Sequence, residues 1–498
     1  MTLPPPRHVP LAIPPDEFRR LGYQLIDQIA DLQTSMFSRP VTAGEPPSTI
    51  RALLGQAALP EQGAAPDAIL NRATDLLFPH SLYNAHPRFW GYITAPPSPI
   101  GILGDLLASG LNPNVGAFIL GPMATEIEAQ TIRWIAELVG FPNDCGGILV
   151  SGGNMANYVG FLAGRYAKAG PTIRAEGLGS RPPLRAYAAD GTHTWLQKAA
   201  DLFGLGERQV RYIPVDEQQR MKVDLLEAAI VEDRANGDLP FLVVGTAGSV
   251  GAGAIDPLPA IAAICRKHDL WFHVDGAYGA LAACLPDASA DLLGLREADS
   301  VALDPHKWLY APLEAGAVLV RNAATLRDTF SYHPEYYRMD EVGGEAPLNF
   351  VEYGLQNSRG FRALKVWLAL QQAGRSGYQQ MIGDDVALAR QLFDLAEAHE
   401  ELEAVLHSLS ITCFRFVPKG FNRTAEGAEE YLNRLNAKVV ERLQEGGELF
   451  LSNAVIAGRY VLRACVVNFN TRAEDIAACP DIVCRVGRDL HQASSTAS

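Results

Sequence analysis

The sequence predicts an α/β fold: a mostly parallel sheet covered by helices, with a helical amino-terminal segment and a smaller carboxyl-terminal α+β unit. Two observations carry that expectation. Between about residues 100 and 375, short apolar runs alternate with amphipathic stretches, as strand–helix–strand units do. After about residue 375 the order of elements changes. At 498 residues the chain also exceeds what one small core needs, so more than one structural unit is expected.

The first segment, 1–98, opens on an amphipathic helix over residues 15 to 34. Phe18, Leu21, Leu25, Ile26, Ile29 and Leu32 recur there near a 3.6-residue period. The Pro/Gly-rich stretch PVTAGEPPST at 40 to 49 reads as a connector, and a second helix is expected near 67 to 78. Such helices lack a core of their own. Their apolar faces are expected to dock on the rest of the protein or on a second chain.

The large unit, 99–375, holds the alternation. GGILVS (146 to 151) is a strand-like run followed by the helical NMANYVGFLAGRYAKAG, and RAYAAD precedes the helix HTWLQKAADLFG. FLVVGTAG (241 to 248), LWFHVD (270 to 275) and AGAVLVR (315 to 321) are further strands, with the helix DPLPAIAAICRKHD (256 to 269) between two of them. In such sheets ligands sit beyond the carboxyl ends of the strands. The last unit, 376–498, reads as a helix near 383 to 405, the strand ITCFRFVP, a helix near 426 to 445, the strand RYVLRACVVNF and a final helix. The tail ASSTAS is expected to lack order.

Composition narrows the function. The net charge of −14 disfavours a nucleic-acid partner and an anionic membrane surface. No apolar run approaches a membrane span, and the opening MTLPPPRHVPLAIPPDEF does not read as a signal peptide. Seven scattered cysteines without a CxxC pair suit reduced thiols and a cytoplasmic location. HEELE at 399 lacks the second histidine of a helical zinc site, so no metal is expected. GAGAID at 251 to 256 lacks the third glycine of a dinucleotide fingerprint, and neither GxxxxGK[ST] nor GxSxG occurs.

Three segments at the ends of expected strands carry chemistry. Ser151-Gly152-Gly153-Asn154 lies between a strand and a helix, where glycines let backbone N–H groups approach an anion. A phosphate monoester suits it, and so does a plain turn. Asp275 ends the apolar run of LWFHVDGAYG. A carboxylate there is costly unless it meets a cation, which a protonated pyridine nitrogen or an ordinary ion pair would supply. Lys307 in DPHKW stands between His306 and Trp308, just before the strand AGAVLV. A lysine amine shielded from water can condense with an aldehyde. Together, in this order, the three suit pyridoxal 5′-phosphate (PLP), a pyridine that bears both an aldehyde and a phosphate.

HVDGAYGA and DPHKW, with Lys307 32 positions after Asp275, resemble the group II PLP-dependent decarboxylases. That family includes the aromatic-L-amino-acid, glutamate and cysteine-sulfinate decarboxylases. The likeness runs from DEFRR near residue 16 to VLRACVVNF near 470. It implies PLP fold type I, with a seven-stranded, mostly parallel sheet in the large domain. It also implies an obligate homodimer in which the amino-terminal segment takes part. By matching motifs it implies Lys307 as the Schiff-base lysine, Asp275 as partner of the pyridine nitrogen, and Gly153 and Asn154 at the phosphate. His193 of DGTHTWLQK would stack on the ring, Ala277 would pack on its other face, and Thr246 of VVGTAGS would lie near the 3′-oxygen. His306 would sit beside the phosphate, as would Asp304, which replaces the asparagine many relatives carry. Met155 stands where a glutamate is usual. Tyr336, 29 positions after Lys307, matches a loop tyrosine that protonates the carbanion left by CO2.

On substrate choice the resemblance is divided. Tyr92 in HPRFWGYIT matches the aromatic branch, and Thr94 follows it in the same segment. Asn84 stands where that branch carries tryptophan, and NPNVGAF (112 to 118) looks more like the glutamate branch. Arg463 in VLRACVV would meet a substrate carboxylate or form a structural salt bridge. An aromatic L-amino acid is therefore the favoured substrate, with an acidic or other small amino acid (glutamate, aspartate or cysteine-sulfinate) as the alternative. A decarboxylation-dependent oxidative deaminase (aldehyde synthase) and a silent dimeric scaffold are further alternatives. Tyr336, where aldehyde-forming relatives often carry phenylalanine, argues against the former. The set Asp275, Lys307, His193 and Tyr336 argues against the latter.

Overall fold

A computed structural model describes residues 7–179, 181–332 and 344–496. Its centre is a seven-stranded sheet made of β2 (Gly146–Val150), β3 (Leu184–Ala189), β4 (Val210–Ile213), β5 (Leu239–Thr246), β6 (Trp271–Asp275), β7 (Ser300–Leu303) and β8 (Gly316–Val320). The spatial order is β2-β8-β7-β6-β5-β3-β4, and β8 runs opposite to the other six strands. Helices cover this sheet, so β2, β6, β7 and β8 are buried along their whole length and β5 along nearly all of it. That is why their sequences read as unbroken apolar runs rather than as alternation.

A second sheet of five strands has the order β1-β11-β12-β10-β9. It comprises β1 (Phe89–Trp90), β9 (Leu402–Ser408), β10 (Ile411–Phe416), β11 (Phe450–Ile456) and β12 (Arg459–Cys465). Phe89 and Trp90 pair parallel with Phe450 and Leu451, so the amino-terminal segment lends a strand to the carboxyl-terminal sheet.

Four local expectations are corrected. The connector read at 40 to 49 ends in a helix, Pro47–Leu54, whose first residue is a proline; proline is well placed at a helix start because its missing N–H would be unpaired there anyway. The helix expected near 383 to 405 begins at Ala363 and ends at Ala398, with a break at Gly374 (φ 62°). Residues 402–408, read as its end, form β9, because pairing with β10 outweighs the helix propensity of LEAVL. The tail ASSTAS continues the last helix as far as Thr496.

Candidate active site

The carboxyl ends of the parallel strands converge on one edge of the large sheet. β2 ends at Val150, just before Ser151-Gly152-Gly153; β3 ends at Ala189, ahead of His193; β5 ends at Thr246 and β6 at Asp275, which are register partners. β7 ends at Leu303, and the next residue, Asp304, directly precedes the short helix Pro305–Trp308. A cavity of about 460 Å³ opens there. Gly153, Asn154, His193, Thr246, Asp275, Ala277, Asp304, His306 and Lys307 all line it. These are the nine residues expected at the cofactor, gathered from stretches of chain more than 150 residues apart.

One end of the cavity is built for an anion. The helix Gly153–Ala169 starts there, preceded by Gly152 at φ 145°, a backbone conformation that only glycine adopts readily. The first-turn N–H groups of a helix have no partner inside it and favour negative charge. The turn is tightly enclosed. A Cβ on Gly316 would lie 2.6 Å from the Gly152 backbone, and one on Gly153 would lie 2.8 Å from Asp304 Oδ2 and 3.1 Å from Ala277 Cβ.

At the other side, Asp275 accepts a hydrogen bond from Trp195 Nε1 (2.7 Å) and one from the N–H of Ala277 (3.3 Å). The carboxylate is thereby fixed in direction while remaining buried. His193 Nδ1 accepts from the N–H of Trp195 (3.2 Å), which leaves Nε2 to carry the ring proton. Burial lowers the affinity of His193 for a second proton, against the opposing field of Asp275. His306 is lowered too, mainly by burial, and its Nδ1 is 2.7 Å from the carbonyl oxygen of Ala315. Lys307 Nζ lies 3.0 Å from Asp304 Oδ2.

Two buried polar atoms in this region are poorly satisfied: Asp304 Oδ1 has no hydrogen-bond partner, and Thr246 Oγ1 has the Asp256 carboxylate alone beside it. Buried polar groups are rarely left so, and both belong to residues that line the cavity. A primary amine, a fixed carboxylate, an imidazole, a threonine and a glycine-lined helix start therefore line one space. That donor set fits pyridoxal 5′-phosphate. The helix start can hold the phosphate, Asp275 a protonated pyridine nitrogen, Thr246 a ring oxygen and Lys307 the aldehyde carbon.

The four residues expected at the substrate do not line this cavity. Tyr92 is 59% exposed, and its carbonyl accepts from Arg463 Nη1 (2.9 Å). Arg463 also donates to Ser452 Oγ (3.0 Å), while its Nε and Nη2 are buried without a partner. Thr94 is half-buried. Asn84 Nδ2 donates to the carbonyl of Ala95 (3.1 Å), and Asn84 lines a second cavity of about 720 Å³ that also includes Phe469. Tyr336 lies outside the described residues.

Several contributors escaped the sequence reading. Trp195 is one, since nothing in HTWLQK shows that its indole reaches Asp275, 80 residues on. Asp256 is buried and pushed up to about 6 by that burial; it accepts from the N–H groups of Thr246 (2.8 Å) and Met221 (2.7 Å) and so fixes the end of β5. Asp385 accepts from Trp308 Nε1 (2.9 Å) and Tyr310 Oη (2.7 Å), one and three residues past the lysine. Among the described residues, His399, Glu401 and Cys484 also come together, within 4.8 Å, but Glu401 is already held by Arg488 and none of the three lines the cavity.

Comparison with known proteins agrees with this geometry. The pyridoxal-dependent decarboxylase conserved domain matches residues 47–417. An aromatic-L-amino-acid decarboxylase of Bacillus atrophaeus is 35% identical over 467 residues, covering 94% of each chain. Among solved structures, Oryza sativa TDC with PLP and tryptamine superposes with a TM-score of 0.88 at 27% identity, covering 97% of this chain and 100% of that one. Mouse CSAD gives 0.89 at 27% identity, covering 95% and 100%.

Proposed function

This chain belongs to the pyridoxal-dependent decarboxylase family, and we propose that it removes CO2 from an aromatic L-amino acid to leave the corresponding amine. It is an amino-acid decarboxylase with pyridoxal 5′-phosphate as cofactor. The aromatic preference is supported by the relative that matches it over 94% of both chains, and by Tyr92. A glutamate- or cysteine-sulfinate-type substrate is the second reading, motivated by Asn84 and by the segment 112–118.

When bound, the cofactor supplies an electrophilic carbonyl and an electron-withdrawing ring. The chain's residues do the rest. Lys307 presents the amine that would hold the cofactor through its carbonyl carbon until a substrate amine takes that place. Asp275, oriented by Trp195, keeps the pyridine nitrogen protonated so that the ring stays electron-poor. His193 would pack against one ring face and Ala277 against the other. Gly153, Asn154 and His306 would hold the phosphate end. Tyr336 delivers the proton to Cα after CO2 has left. Asn84, Tyr92, Thr94 and Arg463 are assigned to the substrate side; of these Asn84 lines the second cavity together with Phe469, whose ring centroid is 5.3 Å from that of Tyr310, three residues past Lys307.

The observation that carries this reading is the convergence of Lys307, Asp275, His193 and the Gly153 helix start on one cavity. The test is to supply the purified chain with PLP and a panel of aromatic and acidic L-amino acids. CO2, amine and peroxide are then measured. Amine in step with CO2 from an aromatic substrate, without peroxide, is the expected result. Peroxide in step with CO2 would assign an aldehyde synthase instead, and Lys307→Ala with full turnover would defeat the scheme.

A homodimer is part of the proposal. Phe18 and Tyr23 on the first helix, and Leu103, Leu106, Leu107 and Leu111 on the helix Pro99–Leu111, lie exposed in the single chain. Apolar faces of that size normally meet a partner. Light scattering should give twice the 53.8 kDa chain mass. A cytoplasmic location accords with seven cysteines that are all unpaired.

A further inference from the structure

The end of the cavity suited to phosphate already carries an anion. Asp304 is 2% exposed, its Oδ2 lies 3.0 Å from Lys307 Nζ and 3.7 Å from His306 Nε2, and its Oδ1 has no partner. The same Oδ2 would be 2.8 Å from a Cβ on Gly153, so the carboxylate abuts the amino end of the helix that begins there. A phosphate cradled by that helix start therefore meets Asp304.

The surrounding charges do not compensate. Lys307 is the one lysine or arginine among the described residues that line the cavity; Lys198 and Lys365 act on His193 and His306 from outside it, and Lys365 is paired with Asp105 (3.1 Å). Burial lowers both His193 and His306, which favours their neutral forms. Asp275, on β6, adds a second carboxylate and is directed at Trp195 Nε1. Glu314, at the rim, is paired with Arg362 (3.0 Å). A phosphate dianion entering here joins Asp304 with one ammonium between them. Two close anions in a shielded site retain a proton that each would lose in water.

We propose that this site takes up the phosphate ester together with one proton from solvent, held between Asp304 and a phosphate oxygen, so that cofactor retention weakens as pH rises. The inference rests on the PLP reading above. It concerns an O–H bond alone: no electrons move and no other bond breaks. Asp304 then serves both states. Without ligand it pairs with Lys307, and with ligand it donates through its proton to the phosphate. Oδ2, which faces both Lys307 and the Gly153 helix start, is the oxygen placed for that contact.

The test uses the full chain freed of cofactor and titrated calorimetrically with 4′-deoxypyridoxine 5′-phosphate, which lacks the aldehyde and leaves the Lys307 ammonium intact. Two buffers of different ionisation heat give the protons taken up; inorganic phosphate is the second probe. Native protein should take up about one proton more than Asp304→Asn, and its affinity relative to that variant should fall about tenfold per pH unit between about pH 7 and 9. Equal proton counts, or an Asp304→Asn chain that binds more weakly at every pH, would overturn the inference. The native count alone also decides: binding heats that do not differ between the two buffers mean no proton taken up, which refutes it without any variant. If both proteins turn yellow with PLP yet the counts agree, this inference fails and the functional reading stands. If neither turns yellow, both fall.

Discussion

Replacing Arg359 by methionine tests how the cavity is supported from behind. Arg359 and Glu128 form an ion pair in which neither side chain is exposed at all. The guanidinium also donates to the carbonyls of Val115 (3.0 Å) and Leu149 (2.6 Å), and Glu128 accepts from the N–H of Leu149 (3.0 Å). Leu149 lies two residues before Ser151, so the pair fixes the strand that feeds the phosphate turn. Removing the arginine leaves a carboxylate buried with no counter-charge, which costs about 3–5 kcal/mol. Glu128→Gln combined with Arg359→Met removes the stranded charge while keeping an oxygen for the Leu149 N–H. The double variant should therefore recover about 2 kcal/mol of the loss. In urea, at a slope of about 3 kcal/mol per molar, the single change should lower the first midpoint by 1 M or more. Tryptophan fluorescence follows the transition. A shift below about 0.3 M, or a double variant no more stable than Arg359→Met, would refute the account of a buried, mutually dependent pair.

Three further outcomes follow from named contacts. Gly316→Ala places a methyl 2.6 Å from the Gly152 backbone, which cannot yield as a side chain would, so the purified variant should lose its yellow colour while its circular dichroism stays native-like. Trp195→Phe removes the indole donor at 2.7 Å from Asp275; a hydrogen bond to a charged group is worth about 1.5–3 kcal/mol, and PLP affinity measured by absorbance should fall correspondingly. Burial pushes Asp385 up to about 7 from an ordinary 3.8, so between those values the folded chain keeps a proton that the unfolded chain has lost. Its stabilising contribution is complete below about pH 4, declines as pH rises and is gone above about pH 7, a span of up to about 4 kcal/mol; urea midpoints of Asp385→Asn should lack that decline.

The sequence disclosed the cofactor residues because the fold places them at strand ends, where an apolar run stops at a residue that has no place in a core. Asp275 after LWFHV and Lys307 before AGAVLV carry that signal within ten residues. Trp195, Asp256 and Asp385 carry none, because each is tied to its partner only once distant strands and helices have packed. Strands β4, β7 and β11 passed unread for a related reason. VRYI and SVAL are four residues each, too short to show a period, and FLSNAVI acquires its register from β12. The substrate side was the least legible. Tyr92 and Asn84 rest on likeness and Arg463, within β12, on its charge, and none of these or Thr94 lines the Lys307 cavity.

Two buried aspartates flank the lysine helix, and comparing them separates support from chemistry. Asp385 is fully used: it accepts from the indole of Trp308, the hydroxyl of Tyr310 and the N–H of Asn468 (3.3 Å). Trp308 also stacks on Tyr278 (4.7 Å between centroids, 25° between planes), whose hydroxyl meets Ser410 Oγ at 2.7 Å. The four-residue helix that carries Lys307 is thus tied to residues adjoining β10 and β12 of the smaller sheet, which is why so short an element can aim an amine. Asp304, three residues before the lysine and equally buried, keeps one oxygen without a partner, and that residue lines the cavity. Folding alone would select against such an atom, since an unmet buried acceptor costs about 1–3 kcal/mol. A satisfied acid behind the lysine and an unsatisfied one before it therefore have different causes. The first holds the element in place, and the second awaits something that binds.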